Sequence, residues 1–410
     1  MTTIRIITIL TLLAFSSKSH SQDISTERIK KDITYLASDK LKGRGTGSKG
    51  EKLAAKYIAK QFEAAGLAPK GTDGYYYPFN FRCNTDPKDS TSAMQDRHGK
   101  DVVGYLDNGA DYTIIIGAHY DHLGLGYDHN SLDPNPKGKI HNGADDNASG
   151  TAGVMELARY YAGNNVKEKY NILFICFSGE ELGLYGSKKF CESPTIDLSK
   201  VDYMINMDMI GRLNDSTKML MIYGVGTAPD WVPMIDQFHT VFKIKEDSAG
   251  VGPSDQTSFY LKNIPVLHFF TGQHADYHKP SDDVDKINFD GEKMVLEFII
   301  NIETSTEKLD KLQFLKTKNP DMGSHSYKVK MGVMPDYTFE GPGLRVDGVT
   351  DGKPAAAAGV KQGDIILKLG DHDISNMSDY MNALGTFKVG DTTTLKVKRG
   401  DQELDLKVTF

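Results

Sequence analysis

Ile172-Leu173-Phe174-Ile175-Cys176-Phe177-Ser178-Gly179-Glu180-Glu181 is the stretch on which the reading of the fold turns. Its unbroken apolar run is too short for a helix and rich in Ile and Phe, the pattern of a strand buried on both faces of a mostly parallel sheet. Two adjacent carboxylates follow at once. The same succession recurs along the chain: the apolar run Tyr112 to Gly117 leads to His119-Tyr120-Asp121, and Tyr203 to Asn206 leads to Met207-Asp208. Further strands are expected over Leu220 to Tyr223 and Pro265 to Phe269, and helices over Ala148 to Tyr161, Trp231 to Val241 and Phe289 to Lys308. Strands alternating with amphipathic helices predict a three-layer α/β/α fold with a mixed, mostly parallel sheet. In such sheets ligands bind beyond the carboxyl ends of the strands, so these polar clusters are expected to converge in space.

Two more clusters complete the set, Asn142-Gly143-Ala144-Asp145-Asp146-Asn147 before a helix and Tyr277-His278-Lys279-Pro280 after the last strand. The side chains are imidazoles and carboxylates, the hard and borderline donors that divalent metals take, with no thiolate among them. Two metals that share a site need a carboxylate between them and terminal donors on either side. In the Glu180-Glu181 pair, neighbouring side chains point different ways, so one can ligate metal while the other takes a proton.

At 410 residues the chain is long for a single core, and its 39 % hydrophobic and 25 % charged composition is that of a globular protein. The net charge of −7 and the lack of any long basic run argue against a nucleic-acid partner. Arg5 followed by the apolar Ile6 to Phe15 and by Ser19-His20-Ser21 reads as a signal peptide over 1–21, which predicts an exported protein, periplasmic or secreted. The apolar stretch is too short to cross a bilayer, and no transmembrane segment is expected after cleavage. Three cysteines lack any Cys-x-x-Cys spacing; Cys176 reads as a buried apolar residue, and pairing of Cys83 with Cys191 stays open.

His119-Tyr120-Asp121, Gly143 to Gly150, Ser178 to Gly183, Asn206 to Gly211 and Tyr277 to Asp283, taken in that order, resemble the five motif blocks of the M28 family of zinc aminopeptidases. The resemblance implies two Zn2+ per chain, His119 and Asp208 holding one, Glu181 and His278 the other, and Asp145 bridging both. It implies a cis peptide bond after the bridging aspartate, between Asp145 and Asp146. Asp121 is expected to accept a hydrogen bond from His119, and Glu180 to act as general base in peptide hydrolysis. Ser254-Asp255-Gln256 and Tyr260 are expected to line the pocket, and Asp282 and Asp283 to shape their loop. The alternatives are a glutaminyl cyclase, a carboxypeptidase or dipeptidase on the same fold, or a non-catalytic binding protein.

Past a polar linker over 311–326 the pattern changes to short strands and Gly-rich turns around Pro354-Ala355-Ala356-Ala357-Ala358-Gly359-Val360-Lys361-Gln362-Gly363-Asp364-Ile365-Ile366. This resembles a PDZ domain, small and β-rich, over 327–410, with a zinc-peptidase domain over 22–310 before it. The resemblance implies capture of a peptide C-terminus by backbone amides near Lys330-Met331-Gly332-Val333.

Overall fold

A computed structural model of the chain describes residues 23–84, 94–238, 241–317, 329–335, 339, 341–349, 352–375 and 377–410. The expected signal peptide and most of the expected linker lie outside them. The described part of the first domain begins with helices α1 (Thr26–Leu36) and α2 (Lys49–Ala64), followed by strands β1 (Ala68–Pro69), β2 (Tyr76–Asn84), β3 (Met94–Leu106) and β4 (Thr113–His119). Then come α3 (Gly150–Gly163), β5 (Asn171–Phe177), α4 (Tyr185–Glu192), β6 (Val201–Met207), β7 (Met219–Tyr223), α5 (Trp231–Phe238), β8 (Lys243–Asp247), α6 (Gln256–Tyr260), β9 (Val266–Phe270) and α7 (Phe289–Thr306).

Helices α1, α2 and α7 start where capping side chains satisfy their first free amides. Ser25 Oγ accepts from Arg28 N, Ser48 Oγ from Glu51 N, and Asn288 Oδ1 from Gly291 N. After α2 the chain turns through Gly66 at φ +84°, a conformation that glycine adopts without a Cβ penalty.

The strands run in the order β1-β3-β5-β4-β6-β9-β7-β8, with β2 paired to β3. At the centre β5, β4, β6 and β9 are parallel to one another, while β3 and β7 join antiparallel on the two sides. Every residue of β4, β5 and β6 is buried. Their side chains alternate between two layers. Ile114, Ile116, Ile172, Phe174, Tyr203 and Ile205 pack under α1, α2, α3, α5 and α7, whereas Ile115, Leu173, Ile175, Phe177 and Met204 pack against α4, α6 and the β2 hairpin. This is the three-layer arrangement that the apolar runs imply. Pro78 sits in β2, which among the described residues pairs with β3 alone, as an edge strand allows. All three cysteines are buried and free. No described helix is long and apolar enough to cross a membrane.

The C-terminal part forms its own sheet of β10 (Val333–Pro335), β11 (Leu344–Val349), β12 (Ile365–Leu369), β13 (His372–Asp373), β14 (Thr392–Arg399) and β15 (Gln402–Thr409), with α8 (Pro354–Ala357) and α9 (Met377–Gly385). Val346, Ile366, Leu395, Val397 and Val408 make its core with Ala383 and Leu384 from α9. Asp364 is fixed by two hydrogen bonds from Arg399, each 2.7 Å.

Candidate metal centre

The four central parallel strands deliver the polar clusters to one place. His119 ends β4, Glu180 and Glu181 lie just beyond β5, Asp208 follows β6 directly, and His278 stands in the loop after β9. Opposite them, residues 144–149 form a wide turn before α3 in which Asp146 (φ −103°, ψ 94°) and Asn147 (φ −131°, ψ 51°) leave helical geometry. Asn147 ties this turn to the Asp208 loop: its side chain donates to Met207 O at 2.9 Å and accepts from Met209 N at 3.2 Å.

Asp146, not Asp145, occupies the middle of the site. Its Oδ1 is 3.4 Å from His119 Nε2, and its Oδ2 is 3.2 Å from His278 Nε2. Asp208 Oδ1 is 3.3 Å from His119 Nε2, and Glu181 Oε2 is 3.2 Å from His278 Nε2. Asp145 turns away, accepting from Gly211 N at 2.7 Å and Ser149 Oγ at 3.1 Å, with His274 Nε2 at 3.1 Å. The expectation that Asp145 bridges the clusters therefore moves by one residue, because the extended backbone at Asp146 points that carboxylate inward. The cis bond moves with it and joins Asp146 to Asn147.

The donor set fits a pair of divalent ions. Two donors of a tetrahedral zinc, each about 2.05 Å from the metal, stand about 3.3 Å apart, and the four separations above bracket that value. Both imidazoles are turned by their far nitrogens: His119 Nδ1 lies 3.2 Å from Asp121 O, and His278 Nδ1 lies 2.9 Å from Asn130 O. With Nδ1 donating, each Nε2 presents a lone pair to carboxylate oxygens, so either a proton or a cation must lie between them. Asp146 Oδ2 is buried with no hydrogen bond. Burial opposes charge on His119, yet Asp208 and Glu180 outweigh it and hold its imidazole well above the usual range. Glu181 and Asp146 do the same for His278 against its burial. The buried cluster asks for positive charge, which bound dications supply in place of those protons.

Glu180 faces this cluster, its Oε2 4.0 Å from His119 Nε2. Burial pushes its carboxyl well above the ordinary range, with His119 opposing and Asp208 and Glu181 adding to the push. Asp121 is buried; one oxygen accepts from Thr46 Oγ1 at 2.7 Å and the other from Glu180 N at 3.2 Å. Its main-chain oxygen, rather than its carboxylate at 3.7 Å, is the closer partner of His119. Asp282 accepts from the backbone amides of Asp145 and Asp146 and so holds the central turn in place.

A cavity of about 120 Å³ opens on the centre, bounded on the metal side by His119, Asp146, Glu180, Asp208 and His278, and on the other by Tyr223, Pro253, His268, Phe270 and Gln273. Ser254 and Gln256 do not line it. They lie beneath, where both accept from the Asn206 amide, and Asp255 and Tyr260 are buried as well. Arg44 is missed in the sequence; it is fully buried and donates to the carbonyls of Leu36, Tyr120, Asn142 and Gly143, whereas His122, which the sequence reads as a residue behind the ligands, at the rim or on the surface, lies 2.7 Å from Glu181. Their only sequence signals are the Gly-rich Gly43-Arg44-Gly45-Thr46-Gly47 and a second His in His119-Tyr120-Asp121-His122.

Residues 101–302, which contain His119, Asp146, Glu180, Glu181, Asp208 and His278, match the model of peptidase family M28. This segment is an M28 peptidase domain. Residues 313–410 match that of the PDZ domain, so the chain joins the two. The M28 match begins within β3, although α1 and α2 pack into the same core. A leucine aminopeptidase 2 from Arthroderma otae is 28 % identical over 223 residues, 46 % of this chain and 43 % of the relative. The chain spans about two fifths of the length of the curated relatives it matches first. The fold of the M28 domain is that of a zinc aminopeptidase from Bacillus subtilis (TM-score 0.55, 15 % identity, 72 % of this chain and 97 % of that one). It is equally that of a glutaminyl cyclase from Bacteroides thetaiotaomicron (TM-score 0.54, 17 % identity, 69 % and 98 %).

Proposed function

We propose that this protein is an exported two-zinc exopeptidase that releases N-terminal residues from peptides. The observation that carries the reading is the Asp146 carboxylate, which offers one oxygen to the His119 and Asp208 side and the other to the Glu181 and His278 side. His119 and Asp208 would hold one zinc and Glu181 and His278 the other, with an oxygen of Asp146 available to each. When bound, a zinc pair supplies Lewis acidity that activates water and polarises the scissile carbonyl.

The chain's own residues do the rest. Glu180, raised in pKa and unattached to the ligand set, accepts a proton from the attacking water at Oε2 and passes it to the departing amine. Asp121 fixes the Glu180 backbone and, through its carbonyl, the orientation of the His119 ring. The acidic groups beside the cavity suit a free α-amine, and a cavity of about 120 Å³ walled by Tyr223, Pro253 and Phe270 accommodates one side chain rather than a running polypeptide. The PDZ domain captures the C-termini of peptides at Lys330 to Val333, where Gly332 takes φ +80°. Export rests on the apolar N-terminal stretch of residues 1–21.

The fold is shared with a glutaminyl cyclase and so does not separate the two reactions. Product analysis does. The zinc-loaded full chain is incubated with a Leu-initiated peptide, its N-acetylated form and a Gln-initiated peptide, and the products are followed by mass spectrometry. Release of the first residue from the two free peptides and none from the blocked one supports the proposal. Loss of ammonia from the Gln peptide without chain cleavage identifies a cyclase instead.

A further inference from the structure

We infer that His122 is a positioning residue for the second metal site: its Nδ1–H binds the outer oxygen of Glu181, leaving this carboxylate one oxygen with which to hold metal. The inference rests on the two-zinc reading and concerns a residue outside the proposed ligand set.

The distances separate a hydrogen bond from coordination. His122 Nδ1 is 2.7 Å from Glu181 Oε1 and 3.8 Å from Asp146 Oδ2. Two donors on one tetrahedral zinc are spaced about 3.3 Å apart, so the first separation is too short and the second too long for Nδ1 to share a metal with both. An imidazole N–H donating to a carboxylate has a normal length of about 2.7–2.9 Å. His278 Nε2, by contrast, is 3.2 Å from both Asp146 Oδ2 and Glu181 Oε2 and meets the spacing twice. The two oxygens of Glu181 thus have different partners, Oε1 facing His122 and Oε2 facing His278.

The ring is held where it must be for this task. His122 is buried, and its backbone amide donates to Arg44 O at 3.3 Å. One face lies against Gly143, which takes φ +57° and where a Cβ would collide with the ring. Nε2 is buried with no hydrogen bond, as suits a bare acceptor nitrogen once Nδ1 carries the proton. A carboxylate free at both oxygens is able to chelate a metal and fill two coordination positions. Occupying Oε1 prevents that and keeps a position at the second metal open for substrate.

The test uses the full chain loaded with zinc, with His122→Asn, whose amide nitrogen supplies an N–H near the place of Nδ1, and His122→Leu, which fills the space without a donor. X-ray absorption at the zinc edge counts imidazole ligands, and competition with a chelator gives the two zinc affinities. The expected result is two imidazoles per pair of zincs in wild type and in His122→Asn. His122→Leu weakens one zinc by about 10–100-fold and leaves the other, and His122→Asn recovers most of that loss. Three imidazoles per pair in wild type, falling to two in His122→Asn, make His122 a ligand and overturn the inference alone. Wild-type affinity for both zincs in His122→Leu also overturns it. A wild-type chain that takes up no zinc overturns the two-zinc reading together with it.

Discussion

Exchanging each of the two adjacent aspartates for asparagine in turn separates the ligand from its neighbour. In Asp145→Asn the amide oxygen still accepts from Gly211 N and Ser149 Oγ, and only the charge-assisted contact with His274 Nε2 at 3.1 Å is lost. One such bond contributes about 1.5–3 kcal/mol, so the expected cost is about 2 kcal/mol of folding stability, with zinc retained. Asp146 is the opposite case. Its carboxylate faces the imidazoles of His119 at 3.4 Å and His278 at 3.2 Å, so in the metal-free fold Asp146→Asn removes those two attractions and leaves the backbone hydrogen bonds of the turn in place. It does leave one oxygen where the two sites need two. Because the loss of a group that merely supports a ligand weakens metal binding by about 10–100-fold, loss of the ligand itself is expected to exceed about 100-fold, or ~2.7 kcal/mol, at one site at least. Zinc at 100 times its Kd stabilises a fold by about 2.7 kcal/mol, and that increment is the readout. Urea unfolding of both variants with and without zinc checks it. Zinc is predicted to stabilise wild type and Asp145→Asn and to stabilise Asp146→Asn far less. A zinc-responsive Asp146→Asn beside an unresponsive Asp145→Asn would refute the reasoning.

Three further outcomes are expected. Burial pushes Glu303 to about 8 against an ordinary 4.5, and one of its oxygens has no hydrogen bond. The folded state keeps a proton that the unfolded state gives up, so this stability is full below about pH 4.5 and is lost as pH rises through about 8. Glu303→Gln should gain on wild type by about 1.4 kcal/mol per pH unit across that window, measured by urea unfolding, and a difference that does not change with pH contradicts the assignment. At Gly150 a Cβ would collide with Asn147 Oδ1 and Met207 O, the link between the two ligand loops. Gly150→Ala is therefore expected to lower zinc affinity by about tenfold or more, read by chelator competition; unchanged affinity would place the link outside the metal site's support. Truncation after Thr317, whose contacts with Gly250 and Tyr260 are kept, should leave hydrolysis of an aminoacyl reporter unchanged and slow that of long peptides with free C-termini. Equal loss on both substrates would show that the PDZ domain supports the peptidase fold instead.

Much of this architecture is legible in the apolar runs. β4, β5, β6, β7 and β9 lie where the apolar runs stand, because strands buried on both faces are apolar at nearly every position. β3 gave no such signal, since Gln95-Asp96-Arg97-His98-Gly99-Lys100-Asp101 pairs with the edge strand β2 and is largely polar. At the metal centre, the residue types and their strand-end positions are readable, but the choice between Asp145 and Asp146 is not. Two identical neighbours differ only in backbone direction, and that direction is set by partners distant in sequence, Asp282, Gly211 and Met209, which hold the turn. The role of Arg44 and the partner of His122 were hidden for a related reason. Their roles lie in contacts with Glu181 and with four carbonyls that only the folded chain assembles.

Anomalous diffraction at the zinc edge from crystals of the zinc-loaded full chain tests the central claim most directly. The account predicts two peaks about 3.5–4 Å apart, one between His119 and Asp208 and one between Glu181 and His278, with an Asp146 oxygen on each. A single peak, or a pair joined through Asp145, would contradict it.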